Sequence, residues 1–210
     1  ISMLHDYGLY RITSSATITR TDLPLSHQQG ICADSLGNIY LSVEDNKIYR
    51  YTTNGVLTVF AGSGNTGHAD GNGIFSSFTY PTSLAADAAD NIFVWDSQNG
   101  LIRKIDQSRN VTTYAGKYNN YSIVDGVGTN AAFNSVSQMC FDDAGNLILA
   151  CYESIRRISA TTKVTTIAGS FSVSGYANGA GNLARFNRAS GVCVSGGTIY
   201  VADSSNQRVR

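Results

Sequence analysis

The sequence carries little charge. Only 14% of its 210 residues are Asp, Glu, Lys or Arg, against roughly 25% in ordinary soluble domains. The 15 basic and 15 acidic residues cancel. With no net charge and no Lys/Arg cluster, the chain lacks the field that phosphate binding draws on, which argues against nucleic acid as a partner. No apolar run comes near the roughly 18 residues that a membrane span needs, and the chain does not open with a charged segment followed by an apolar one. No stretch sustains a 3.6-residue apolar period, which argues against helices. Cysteine is sparse: Cys32, Cys140, Cys151 and Cys193 are too few for a disulfide-stapled scaffold of this length. Ile1 is not an initiator Met, so the sequence reads as one part of a longer or processed chain.

What is abundant is Gly, at 21, and Tyr, at 12 against 8 Phe. A surface of Ser, Thr, Asn, Gly and Tyr is commoner outside the cell than in the cytosol, and the expected location is extracellular or at the cell surface.

The chain repeats. Gly30-Ile31-Cys32-Ala33 leading to Asn38-Ile39-Tyr40-Leu41 is matched by Leu84-Ala85-Ala86 leading to Asn91-Ile92-Phe93-Val94. Met139-Cys140-Phe141 with Asn146-Leu147-Ile148-Leu149, and Val192-Cys193-Val194 with Thr198-Ile199-Tyr200-Val201, follow the same form. From Asn38 to Asn91, Asn146 and Thr198 the steps are 53, 55 and 52 residues. Ala61-Gly62, Ala115-Gly116 and Ala168-Gly169 keep that step, as do Asp70, Asp125 and Asn178, then Phe78, Phe133 and Phe186, and an arginine series of Arg50, Arg103, Arg156 and Arg210. A shared period of this length marks a stacked repeat.

Each unit reads as four short strands: a small apolar one, a hairpin turn of the Asp142-Asp143-Ala144-Gly145-Asn146 kind, an Ile-Tyr-Leu type strand, an Arg-bearing strand and a Val-Thr-Thr type strand. A sheet apolar on both faces gains stability by lying against copies of itself, and radial stacking makes an all-β propeller of four-stranded antiparallel blades. The expected domain is a single propeller over 1–210, with a partial blade at 1–28 holding two strands, blades at about 29–61, 82–115 and 137–168, and a partial blade at 190–210. Small residues suit an innermost strand, so Cys32, Cys140 and Cys193 read as small buried hydrophobes.

Val201-Ala202-Asp203-Ser204-Ser205-Asn206-Gln207-Arg208-Val209-Arg210 resembles the signature of NHL repeats, and Trp95-Asp96-Ser97-Gln98-Asn99-Gly100-Leu101-Ile102-Arg103 is similar to it again. The resemblance covers about residues 29–210 and implies a propeller, often of six blades. Three whole and two partial blades fit a fragment of such a ring better than a small closed one. Cys151-Tyr152-Glu153 and Val43-Glu44-Asp45 depart from the pattern. The resemblance does not imply a function.

Few residues stand apart from the repeat. Asn110-Val111-Thr112 and Asn120-Tyr121-Ser122 are glycosylation sequons. Asp96, Asn99, Asp203 and Asn206 recur, and a residue needed once per blade is architectural, its short polar side chain serving local backbone. Asp70 and Asp125 lack the spacing of a calcium loop. His5, His27 and His68 have no partners at ligand spacing, so neither a metal nor another cofactor is expected. The sequence therefore points to a non-catalytic binding or structural assembly module, possible in a fibril, contacting protein, glycan or copies of itself. The loops 62–80, 116–132 and 169–185 lie on one rim and are the expected contact surface, with Tyr118, Tyr121 and Tyr176 as the expected contact residues. A propeller-type lyase or hydrolase with an axial metal site is the alternative.

Overall fold

A computed structural model describes residues 2–5, 8–12 and 15–210, with side chains from residue 8 onward. The described residues form five antiparallel sheets joined in chain order, with short 3-10 turns and no α-helix. The first sheet contains β1 (Ser2–His5), β2 (Gly8–Ile12) and β3 (Ile18–Asp22). The second contains β4 (Gln28–Ala33), β5 (Ile39–Val43), β6 (Lys47–Tyr51) and β7 (Leu57–Ala61). In the third, β9 (Pro81–Ala86), β10 (Ile92–Asp96), β11 (Leu101–Ile105) and β12 (Asn110–Ala115) are joined by the short β8 (Gly71–Asn72). In the fourth, β14 (Gln138–Phe141), β15 (Leu147–Cys151), β16 (Ser154–Ile158) and β17 (Lys163–Gly169) are joined by β13 (Gly126–Val127). The last sheet has β18 (Ala189–Ser195), β19 (Thr198–Asp203) and β20 (Arg208–Val209).

The first hairpin of the second, third and fourth blades rests on one side-chain pair. The Asp34 carboxylate accepts the Asn38 main-chain N–H at 2.8 Å and its side-chain amide at 2.7 Å. Asp87 does the same for Asn91 and Asp142 for Asn146. This is why the Asn recurs: the pair closes the turn and sets the register of the strand that follows.

The edge strands β4, β9, β14 and β18 lie side by side, which is a propeller's inner wall. Between neighbouring sheets the apolar faces interlock. Tyr40, Ile48, Phe60 and Phe78 meet Ile92, Val94, Ile105 and Val111. Phe93, Trp95 and Ile102 meet Phe133, Leu147, Leu149 and Ile158. Ile148, Ala150 and Ile155 meet Phe186, Val192 and Val201. The core is therefore a series of wedges between blades, with apolar burial as the stabilising term.

Four features differ from the sequence reading. The opening segment holds three strands, because Ser2–His5 pairs with Gly8–Arg11 ahead of the two strands expected. The loop entering the third and fourth blades also lends a strand. β8 pairs with β12 and β13 with β17, so the outer edge of each blade is covered against stray pairing.

The other two differences concern single residues. Arg103 lies opposite Val94 and Arg156 opposite Leu149, whereas Arg50 lies opposite Tyr40; Tyr49 takes the matching place, opposite Leu41. Arg50 is thus out of phase with the arginine series. Of the inner-strand cysteines, Cys32 and Cys140 are only half-buried, packed at the margin of the wedges between sheets, and Cys193, on the last described sheet, is exposed; Cys151, on β15, is the buried one. All four are free thiols. Burial pushes the Cys151 thiol up to about 12 and Cys140 up to about 11, so both stay protonated at neutral pH.

Candidate functional site

The loops that carry the exposed aromatics leave the sheets at fixed points. Gly116 sits at φ +103°, and a Cβ there would come within 2.5 Å of the Gly100 carbonyl oxygen. Only glycine tolerates that conformation and that approach. The amide of Gly116 then donates to the Gly128 carbonyl, which ties the loop's start to its end.

Inside each loop stands a polar network. Asp96 accepts the Thr79 N–H at 2.7 Å, the Asn99 amide at 2.8 Å and Arg103 at 2.9 Å. Arg103 also donates to the carbonyls of Ser77 and Ala69 and to Asp70, and its guanidinium lies 5.3 Å from the Phe78 ring centroid. Burial pushes the Asp96 carboxyl above the usual carboxylate range, while Asn99, the Thr79 N–H and Arg103 pull it back. The last blade repeats the set: Asp203 takes the Asn187 N–H, Asn206 and Arg210, and Arg210 reaches Asn178 and Ala177. In the fourth blade Cys151 replaces the Asp, yet Arg156 still holds the Ala132 and Val124 carbonyls and Asp125, over the Phe133 ring. These recurring groups are occupied in fastening loop to blade. Asp70 places one carboxylate oxygen, and Asp125 both, on arginine and threonine. Among the described residues, no three His, Cys, Asp or Glu side chains converge.

Burial alone would raise the Asp125 carboxyl, but the Thr166 N–H and the Arg156 guanidinium overcome it and hold the group below its ordinary value of 3.8. Its stabilising share is present above that value and is lost as pH falls through the lowered one. Denaturant titrations between about pH 5 and about pH 2 should therefore show a shallower acid loss in Asp125→Asn than in the parent. Equal slopes would remove Asp125 from the acid response.

The rim carries what the network leaves over. Tyr118, Tyr121 and Tyr176 are 53%, 41% and 52% exposed, and Phe171 and Val173 are exposed as well. The structure separates the three tyrosines. Tyr118 stacks on His68 with ring centroids 3.8 Å apart and planes 18° apart. Tyr121 donates its hydroxyl to the Gln98 carbonyl. Tyr176 is covered on one side by Arg208 and Arg210, at 4.4 Å and 5.2 Å from its ring centroid, and faces the cleft beside the last blade. Sequence reasoning set His68 aside for want of a metal partner; its actual partner is an aromatic ring 50 positions away.

The two sequons also differ. The Asn110 side-chain amide donates to Asp106 at 2.9 Å, and its carbonyl accepts from Asn72. Asn120 uses only its carbonyl, towards the Ser122 N–H and hydroxyl. N-glycosylation consumes the amide nitrogen. Expressed through a eukaryotic secretory route, the chain should carry sugar on Asn120 far more fully than on Asn110. Glycopeptide mass spectrometry reads both occupancies, and an Asn110-only pattern would contradict this.

The family model described as the NHL repeat matches residues 186–210. Residues 186–210 form an NHL repeat. Human NHL repeat-containing protein 2 is 25% identical over 177 residues, which is 75% of this chain and 24% of that protein. The chain thus spans about a quarter of the length of the curated relatives it matches. Among solved structures, a protein of unknown function from Bacteroides thetaiotaomicron superposes with a TM-score of 0.78 at 19% identity, over 96% of this chain and 52% of that one. An auxiliary nutrient binding protein from the same organism gives 0.74 at 20%, over 96% and 51%. Virginiamycin B lyase from Staphylococcus aureus gives 0.60 at 16%, over 97% and 62%. At these identities the likeness speaks for the propeller fold.

Proposed function

We propose that this chain is part of a non-catalytic NHL propeller that works outside the cell or at its surface and binds a glycan or protein partner through one loop rim. One observation carries the reading: the recurring polar residues are used up in the blades, while Tyr118 and Tyr121 in one loop and Phe171 in the next are exposed. Exposed aromatic surface of this kind is a recognition feature. The nutrient binding protein among the structural neighbours supports a binding role by analogy, and the low charge supports an extracellular setting.

The test is a paired screen on immobilised glycans and on cell-surface proteins, using the parent, Tyr118→Ala/Tyr121→Ala/Phe171→Ala, and Leu36→Ala as a control in the β4–β5 turn. The reading expects at least one ligand that the triple variant loses and the control keeps. A ligand bound equally by all three, or stoichiometric metal in the purified chain together with substrate turnover, overturns it.

A further inference from the structure

We infer that the cleft lined by the His68–Tyr118 stack, Lys117, Thr129 and Asn130 is a binding site for a sugar bearing a carboxylate, such as a uronic acid unit of a glycan. The inference rests on the binding role proposed above and names the ligand class.

The cleft has a volume of about 510 Å³, within the roughly 300–1,000 Å³ typical of small-molecule sites. Its polar lining is His68, Thr113, Lys117, Tyr118, Thr129 and Asn130. Most of these do not repeat. Lys117 occupies the place that Ser63 and Ser170 hold in the other loops, and Tyr118 that of Gly64 and Phe171. His68 occupies that of Ile123 and Tyr176, and Asn130 that of Phe75 and Leu183. The blade does not need this set, since the other blades fold without it. A polar group found at one junction only, beside the recurring Asp–Asn–Arg networks, is not demanded by the blade and is open to a ligand.

The chemistry of the lining selects the ligand. The His68–Tyr118 stack joins two loops 50 positions apart and makes a firm aromatic wall on the solvent side. Aromatic faces carry negative charge density and aromatic edges positive, so the weakly positive C–H face of a sugar ring lies well against such a wall. Thr129 and Asn130 both donate and accept hydrogen bonds, as sugar hydroxyls require. The Lys117 ammonium adds a full positive charge, which a carboxylate answers. Asp70 does not offset it freely, because its carboxylate is already paired with Arg103 at 2.7 Å and takes the Thr113 hydroxyl at 3.2 Å. One lysine is too few for a nucleic-acid backbone.

The experiment is calorimetric titration of the purified chain with tetragalacturonate, with its carboxyl-reduced neutral counterpart, and with free galacturonate. The parent should bind the acidic tetramer about tenfold or more tighter than the neutral one, with free galacturonate weaker but competing. Tyr118→Ala should lose both tetramers. Lys117→Gln should keep the neutral tetramer's affinity and lose the preference for the acidic one, and Leu36→Ala should match the parent. Equal affinity for acidic and neutral tetramers overturns the inference while leaving the rim-binding function intact. Acidic binding unmoved by Tyr118→Ala and Lys117→Gln overturns this site. Absence of binding to all three sugars overturns it as well; the screen above then decides the wider function separately.

Discussion

Arg103→Ala should destabilise the chain by about 3–5 kcal/mol, the cost of leaving a buried charge without its partner. Arg103 and Asp96 are both fully buried and 2.9 Å apart. Without the guanidinium, Asp96 retains the Asn99 amide and the Thr79 N–H but loses its counter-charge, and the Ser77 and Ala69 carbonyls lose a donor. Burial already pushes the Asp96 carboxyl up, so in the variant it takes up a proton more readily. A group whose pKa is raised on folding stabilises below its unfolded value and loses that share as pH rises. The deficit of Arg103→Ala should thus shrink as pH is lowered towards about 4. Arg156→Ala is the internal comparison: Cys151 stands where Asp96 does, so no buried carboxylate is stranded. Its cost should be smaller, about 1–3 kcal/mol for the unmet carbonyls. Urea unfolding of both variants at two pH values measures the difference. Equal costs with no pH effect on Arg103→Ala would show that the carboxylate is not the reason.

Phe133→Ala should cost about 3–5 kcal/mol through the cavity it leaves. Phe133 is fully buried between the third and fourth blades. Its ring meets Trp95 edge-on at 6.0 Å and lies under the Arg156 guanidinium at 4.8 Å, so the truncation strips apolar contact and an aromatic partner at once. The chain has a single tryptophan, and it lies in this wedge, so its fluorescence reports directly on the packing. The variant should show a lower unfolding midpoint and a red-shifted native emission. An unshifted spectrum with parental stability would mean that the blades do not depend on this wedge.

The four main strands of each whole blade, their turns and the propeller itself were legible in the sequence, because they follow from local chemistry repeated at one period. The Asp34–Asn38 type of pair closes a turn within five residues, and the small inner-strand residues face neighbours of their own kind. The architectural reading of Asp96, Asn99, Asp203 and Asn206 was legible for the same reason. Arg50 misled because the loop between the second and third strands varies in length. Residues 44–46 join β5 to β6, 97–100 join β10 to β11, and 152–153 join β15 to β16. A constant spacing along the chain therefore conceals a shift of one position across the sheet. β8 and β13 left no signal, since Gly71-Asn72 and Gly126-Val127 become strands only by pairing with an edge supplied from elsewhere. The His68–Tyr118 cleft escaped for a related reason. Its parts lie in two different repeats, and the trace in the sequence was negative: Lys117 and His68 are positions where the repeat is broken.

The central claim is a division of labour, in which recurring polar residues hold the blades and non-recurring rim residues are free for binding. Urea unfolding of Arg103→Ala beside Tyr118→Ala tests it most directly. The account predicts a loss of about 3–5 kcal/mol for the first and a change within about 0.5 kcal/mol for the second. Comparable losses in the two, or a larger one in Tyr118→Ala, would contradict it.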